Sequence, residues 1–305
     1  MFDRILITTD FSEASRAPFR TAAALAKKFN STPYLLHVAL KPQIYTPWQI
    51  ADETPEELRR RKVELERRLE AFRAREEAFD GLLIQKVVLM ANSIEELGEF
   101  QRKMKITLLL IATHGFSNLR HFQMGSFTSK VFPLVACPVL VFRSFDGPHE
   151  APHEALVPHR ILVPYDFSTP SERCLQAAGL WARKFNSSVR LLSVIQPNLT
   201  LLGDSPVDDA YPEGIGSKHQ DDVLNRLEGM IKADWTGIQV QPAVRVGHPA
   251  LEILKEAEDF QPDLIIQASR GLSLPQVETL GSVAEKTIHG AHCPVLVVKY
   301  APVWS

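Results

Sequence analysis

Apolar and polar positions alternate in blocks along this chain. Arg4 to Thr8 is a short run dominated by Ile and Leu, and it predicts a buried strand. Ser12 then reads as the N-cap of a helix whose apolar positions Ala22, Leu25, Ala26 and Phe29 recur at helical spacing. Tyr34 to Ala39 predicts a second strand. The charged segment from Pro55 to Phe79 sets Leu58, Leu65, Leu69, Phe72 and Phe79 on one stripe, the pattern of a long surface helix. Ile84 to Leu89 predicts a third strand, Ser93 to Met104 a helix, and Thr107 to Ala112 a fourth strand of almost continuous apolar character. Gly125 to Leu134 follows as a last helix and Val139 to Phe142 as a fifth strand. Strands that alternate with helices, several of them apolar on both faces, predict a parallel sheet covered on both sides.

The same order is then written again. Arg4-Ile5-Leu6 recurs as Arg160-Ile161-Leu162, Asp10-Phe11-Ser12 as Asp166-Phe167-Ser168, and Lys28-Phe29-Asn30-Ser31 as Lys184-Phe185-Asn186-Ser187. Cys137-Pro138-Val139 recurs as Cys293-Pro294-Val295, and each pair is 156 residues apart (10 to 166, 137 to 293), so the halves align without a gap. Repeats this long mean a duplicated domain and not a solenoid. The expected organisation is a domain over 1–143, a linker over 144–159 rich in Pro, His and Glu, and a second domain over 160–305. Each domain is expected to be a doubly wound α/β unit with a five-stranded parallel sheet.

Composition narrows the partners. The chain has 305 residues, with 34 Lys and Arg against 36 Asp and Glu, so it lacks the basic excess of a nucleic-acid binder. The Arg-rich stretch from Arg59 to Arg75 is interleaved with Glu57, Glu64, Glu66 and Glu70 and reads as a solvated helix face. No apolar run reaches the roughly 18 residues of a membrane span. Met1 to Arg4 leads straight into the first strand, so no signal peptide is expected and the cytoplasm is the expected location. Three cysteines without CxxC or Cys/His spacing predict neither a disulfide framework nor a zinc site. Cys137 and Cys293, each before Pro, read as buried structural thiols. His149, His153 and His159 in the linker give no metal-ligand pattern, and His248 reads as a turn residue. Leu201 to Ser217 is either a mobile flap or a solvated loop.

Doubly wound folds bind ligands beyond the carboxyl ends of their strands, where strand order reverses. The residues there are Thr9-Asp10 and Tyr165-Asp166 after the first strands, where each Asp either caps a helix or faces a ligand. Val38 and Val194 end the second strands, where backbone groups can pair with a base edge. The fourth strands end in Ala112-x-x-Gly115 and Ala268-x-x-Gly271. Nine residues later Gly125-Ser126 and Gly281-Ser282 open a helix whose N-H groups and dipole favour an anion. His114 borders that turn. Arg120 and His121 in the first intervening segment and Arg270 in the second half could help to hold phosphates, whereas the second segment carries Pro275 and Glu278. The first site is therefore expected to outrank the second.

On these motifs the chain resembles a tandem member of the universal stress protein family, over 1–143 and 160–299. The signature of the family's ATP-binding branch is Gly-x-x-Gly, nine residues, then Gly followed by Ser or Thr. It falls on Ala112, Gly115, Gly125 and Ser126, and on Ala268, Gly271, Gly281 and Ser282, with alanine in place of the first glycine both times. The resemblance implies an adenine nucleotide alpha hydrolase-like fold, with Asp10 and Asp166 against the adenosine and the backbones of Val38 and Val194 at the adenine. It also implies ATP or another adenine nucleotide as ligand, with Mg2+ accompanying it, and no metal held by side chains. The two domains are expected to form an intramolecular pseudo-dimer through Val139–Phe142 and Val295–Val298, with a further homodimer and a protein partner left open. The expected function is stress response or signalling with little or no turnover, since no P-loop lysine in GxxxxGK[ST] and no HxGH or SGGxDS signature occurs. The alternatives are an interaction module of the same fold that binds no nucleotide, and a slow ATPase.

Overall fold

Each apolar run anticipated above forms a strand. The computed structural model describes residues 1–41, 53–113, 126–143, 154–196, 215–271 and 280–299. The chain divides into two compact units, the first through Leu156 and the second from Val157. In the first unit the strands are β1 (Arg4–Thr8), β2 (Thr32–Leu40), β3 (Gln85–Ala91), β4 (Leu108–Ala112) and β5 (Val139–Phe142). All pairings are parallel, in the order β3-β2-β1-β4-β5. The helices are α1 (Phe19–Phe29), α2 (Pro55–Ala74), α3 (Glu96–Lys103) and α4 (Ser126–Val131). Ile5, Leu6, Ile7, Leu108, Leu109 and Leu110 are fully buried, as central strands covered on both faces require.

The second unit repeats the plan with β6 (Arg160–Pro164), β7 (Ser188–Ile195), β8 (Val240–Val246), β9 (Leu264–Ala268) and β10 (Val295–Val298). Its order is β8-β7-β6-β9-β10, again parallel. Its helices are α5 (Thr169–Phe185), α6 (Ile215–Asp234), α7 (Pro249–Phe260) and α8 (Ser282–Gly290). In both units the order reverses between the first and fourth strands of the repeat, which directs a ligand to those strand ends.

The repeated Lys-Phe-Asn-Ser is a helix stop. Asn30 and Asn186 take the left-handed conformation (φ 51° and 56°) and close α1 and α5, a conformation Asn adopts at little cost. The N-termini differ between the copies. Ser168 caps α5 directly, accepting from the Ser171 N-H. Ser12, expected to cap the first helix, instead starts a 3-10 turn over Ala14–Arg16, and α1 begins only at Phe19, after Pro18. Pro18 has no N-H to offer the Ala14 carbonyl, so the helix cannot run through it; the equivalent position in α5 is Cys174. The long charged helix also stops earlier than its apolar stripe suggested, at Ala74, with a separate 3-10 turn burying Phe79. Its start is a capping box of Thr54 and Glu57 with Pro55 behind it. Residues 154–156 of the expected linker belong to the first unit: buried Leu156 donates its N-H to the Thr21 hydroxyl at 2.9 Å.

The units differ beneath their third helices. Tyr34 and Phe100 form an edge-on ring pair in the first, 6.5 Å between centroids. At the same repeat positions the second unit has Arg190 and Glu256, 3.3 Å apart, with Glu256 only 5% exposed. Arg245 also binds Glu256 at 2.6 Å, and it reaches Asp259 and, at 3.7 Å, Glu252. These hydrogen bonds hold the Arg245 proton more tightly than usual. Nothing in the periodicity of the sequence distinguished this ion network from the aromatic pair.

Candidate functional site

The ladder between the first two strands ends when the Thr9 N-H bonds the Leu36 carbonyl, and its counterpart ends when the Tyr165 N-H bonds that of Leu192. The chain then makes the same turn in both units. Asp10 Oδ1 accepts from the Ser12 N-H at 3.0 Å and from the Ser12 hydroxyl at 2.5 Å. Asp166 Oδ1 accepts from the Ser168 N-H at 3.1 Å and from its hydroxyl at 2.5 Å. Neither Asp is the cap; each orients the Ser that follows, and each carboxylate is half-buried. Between Asp and Ser, Phe11 and Phe167 have φ of 68° and 59°. A bulky residue in that region costs about 1–3 kcal/mol, and such strain gathers at functional sites.

What holds each strained ring is different. Phe11 lies against the His37 ring at 4.2 Å and edge-on to Phe72 at 5.8 Å. Phe167 lies against Tyr165 at 4.9 Å. Over Phe11 sits the Arg68 guanidinium from α2, 4.4 Å from the centroid, and over Phe167 sits Arg226 from α6 at 4.0 Å. Sequence reasoning missed both arginines. They are 158 residues apart (68 to 226), so the gapless offset of 156 sets Arg68 opposite Leu224. The buried pair Leu69 and Leu227 shows the same shift, and it is the signal that could have located them.

Thr9 and Tyr165 are interior. The Thr9 hydroxyl lies 2.7 Å from the Ser15 hydroxyl and accepts from the Phe11 N-H at 3.0 Å, so it shapes the turn. Tyr165 is buried, and burial raises its phenol above the ordinary value. His37 Nδ1 lies 2.8 Å from the Thr9 carbonyl and must carry the proton in that bond. Burial, with the Arg68 and Arg61 charges, lowers its pKa against the opposing effects of Thr9 and Asp10.

Val38 and Val194 lie two residues beyond the last carbonyls of β2 and β7 that pair with the first strands. Backbone groups in a strand return to the same side every two residues, so the N-H and C=O of each valine face the space where β1 or β6 has ended.

At the fourth strands, Ala112 and Ala268 are the last residues of β4 and β9, and neither has positive φ. Alanine therefore brings no backbone strain to the position of the signature's first glycine. In the second unit Ala268, Arg270, Gly271, Gly281 and Ser282 are all described. A Cβ on Gly271 would fall on Asp166 Oδ2, so the turn after β9 presses against the carboxylate after β6. The Gly281 N-H donates to the Ser269 carbonyl at 2.9 Å, and a Cβ there would stand 3.2 Å from that oxygen. This corrects the expectation that the Gly281 N-H is free for an anion. Gly281 caps α8 without any side-chain bond, so the first-turn N-H groups from Ser282 onward are the donors on offer. In the first unit, the Thr128 hydroxyl of α4 donates to the Ala112 carbonyl at 3.0 Å, and Ser126 opens α4. His114, Gly115, Arg120, His121 and Gly125 lie outside the described residues, as do Pro275, Glu278 and most of the expected flap. Among the described residues no group of His, Cys, Asp and Glu could hold a metal, and no helix is long and apolar enough to cross a membrane.

The sequence model of the universal stress protein family matches residues 1–143 and, a second time, 158–299. The chain belongs to the universal stress protein family. As a tandem member it covers shorter relatives almost completely. Universal stress protein MJ0531 of Methanocaldococcus jannaschii is 28% identical over 172 residues, 56% of this chain and 96% of that protein. Universal stress protein YxiE of Bacillus subtilis is 31% identical over 146 residues, 46% of this chain and 99% of the relative. The crystal structure of a universal stress protein from Archaeoglobus fulgidus shares the fold, with a TM-score of 0.62 at 20% identity, over 97% of this chain and 98% of that one.

Proposed function

We propose that this universal stress protein binds an adenine nucleotide, ATP foremost, in each unit and acts as a ligand-dependent signalling protein with little or no turnover. The observation that carries the reading is the second unit's strand-end cluster. There the strained Asp166-Phe167-Ser168 turn, the close approach of Gly271 to Asp166 and the N-terminus of α8, whose cap Gly281 supplies no side-chain bond, meet at the switch point of the sheet. Each group has a use: the Val194 backbone pairs with the base edge, the Asp166 carboxylate accepts from ribose hydroxyls, and the N-H groups from Ser282 onward receive the phosphates. Arg270, half-exposed after β9, adds a positive charge on the phosphate side. In the first unit Val38 and Asp10 take the first two roles, and Ser126 opens the helix that takes the third. Mg2+ would come with the phosphates, since it keeps most of its waters and binds through phosphate oxygens. Low turnover is proposed because the sequence has no P-loop lysine and no HxGH or SGGxDS signature.

Nucleotide released on denaturing the purified protein and identified by mass spectrometry tests the reading, together with calorimetry against Mg-ATP. Absence of both released nucleotide and binding heat at millimolar Mg-ATP would leave an interaction module without a nucleotide. Gly125→Val and Gly281→Val are each expected to remove one of two sites; unchanged stoichiometry in both would refute the assignment. Pairing of the units through Val139–Phe142 and Val295–Val298 is part of the proposal, tested by disulfide trapping between single cysteines placed in the two segments.

A further inference from the structure

Among the described residues of their long helices, Arg68 and Arg226 are set apart by the aromatic ring beneath each. Neither has a carboxylate partner among the described residues, as is also true of Arg59, Arg60, Arg67 and Arg73. Both side chains are exposed. Each has its guanidinium carbon over an aromatic ring, 4.4 or 4.0 Å from the centroid, and that ring belongs to the strained residue directly after the site Asp. A guanidinium is a planar cation with two faces, and aromatic planes stack on both. One face is taken by Phe11 or Phe167. The other is offered to whatever enters beside Asp10 and Val38, or beside Asp166 and Val194.

Strand order says which end of a nucleotide that is. The phosphate donors lie at the end of β9 and the start of α8, on one side of β6. Arg226 comes from α6, which follows β7 on the other side of β6, the side of Val194. Arg68 stands in the same relation to β1 and β2. The neighbours agree with this placement: Phe11, beneath Arg68, lies 4.2 Å from the His37 ring of β2, and Phe167, beneath Arg226, lies 4.9 Å from the Tyr165 ring after β6.

We infer that Arg68 and Arg226 contact the nucleoside, each stacking the outer face of its guanidinium on the base, so that they select an aromatic base and do not serve as phosphate ligands. The inference rests on the nucleotide reading above and adds to it the residue that recognises the base. Lysine in either place keeps the charge and loses the plane.

The test is calorimetry of the full chain with adenosine, Mg-ATP and inorganic tripolyphosphate. It compares wild type with Arg68→Ala, Arg226→Ala, Arg68→Lys, Arg226→Lys and the double alanine variant. Each alanine variant is expected to weaken its own site for adenosine and ATP by the same factor, roughly three- to thirty-fold. The lysine variants, which keep the helix and its charge, are expected to lose most of that factor, and tripolyphosphate binding is expected to stay unchanged. Weaker ATP and tripolyphosphate with unchanged adenosine would make the arginines phosphate ligands and overturn the inference, as would unchanged binding of all three. If wild type binds neither adenosine nor ATP, the nucleotide reading fails first and this one falls with it.

Discussion

Gly271→Ala tests the joint between the two halves of the second site. Gly271 does not have positive φ, so alanine's backbone is allowed there. If nothing opposed the methyl, the substitution would stabilise the protein by about 0.4–1 kcal/mol through the unfolded chain. The structure predicts the opposite sign. The new Cβ would fall on Asp166 Oδ2, and Asp166 is pinned through Oδ1 by the Ser168 N-H at 3.1 Å and the Ser168 hydroxyl. Swinging the carboxylate away breaks at least one charge-assisted bond, worth about 1.5–3 kcal/mol. It also disturbs the Ser168 cap of α5, which accepts from the Ser171 N-H at 3.3 Å. Caps of this kind are worth about 0.5–2 kcal/mol. Allowing for partial relaxation and for the unfolded-state gain, the net cost is about 1.5–2 kcal/mol. For a unit of this size that corresponds to a fall in Tm of about 3–8 °C. Urea unfolding followed by tryptophan fluorescence reads it, because Trp181 in α5 and Trp235 are the tryptophans buried among the described residues, both in the second unit. The decisive version is a double-mutant cycle with Asp166→Ala: once the carboxylate is gone, Gly271→Ala should become neutral or stabilising. A single substitution that stabilises the wild-type background, or an equal cost in both backgrounds, would refute the contact.

In the second unit's ion network, Glu256→Ala should cost about 1.5–3 kcal/mol by removing the carboxylate that Arg190 and Arg245 share, Arg245 keeping Asp259 and Glu252. Arg190→Tyr with Glu256→Phe, which copies the first unit's ring pair, should cost less than half of that in the same urea titration. His37 has its pKa lowered from 6.5, chiefly by burial, so the stability it contributes is complete above about pH 6.5 and is lost as pH falls through the lower folded value. The first unit's unfolding midpoint should therefore drop between pH 7 and 5, and His37→Gln should flatten that slope; an unchanged slope would show that another group carries it. Burial pushes the Cys293 thiol up to about 12 and raises Cys174 as well, while Cys137 is wholly buried. An aromatic disulfide reagent at pH 8 should accordingly leave the native chain unmodified and titrate all three thiols after denaturation.

The strands were legible because a buried parallel strand needs a continuous apolar run, and few other elements do. The duplication was legible for a different reason: turn residues such as Asn30 and Asn186 have to repeat where the backbone turns left-handed. Helix starts were less so. Ser12 and Ser168 look alike, and only Pro18 six residues later makes one of them begin a 3-10 turn. At the site, the strand-end residues were found from the repeat, and the side-chain directions were not. That the Gly281 N-H is already engaged, or that Thr9 and Tyr165 point inward, depends on packing between segments far apart in sequence. Arg68 and Arg226 were hidden by a two-residue shift confined to the long helices.

The two units also serve as controls for each other, and their differences separate packing from function. Thr9 and His37 in the first become Tyr165 and Ser193 in the second: the large group moves from one strand to its neighbour, and an aromatic ring still lies against the left-handed Phe. Tyr34 and Phe100 become Arg190 and Glu256, again as a pair. Interior contacts have thus been free to change whenever both partners changed together. The Asp-Phe-Ser turn has not changed, although it carries an unfavourable φ in both copies; the Asp–Ser hydrogen bonds and the arginine over the ring are common to both, and the ring beside it comes from a different position. Under the proposed function, a ligand held by the carboxylate after the first strand is a demand that both units would share. Replacing Phe167 by Gly tests that reading against Arg226→Ala: it should relieve the backbone while removing the ring beneath Arg226, and nucleotide at that site should weaken beyond the loss that Arg226→Ala alone gives. A variant that binds as well as wild type would return the turn to packing.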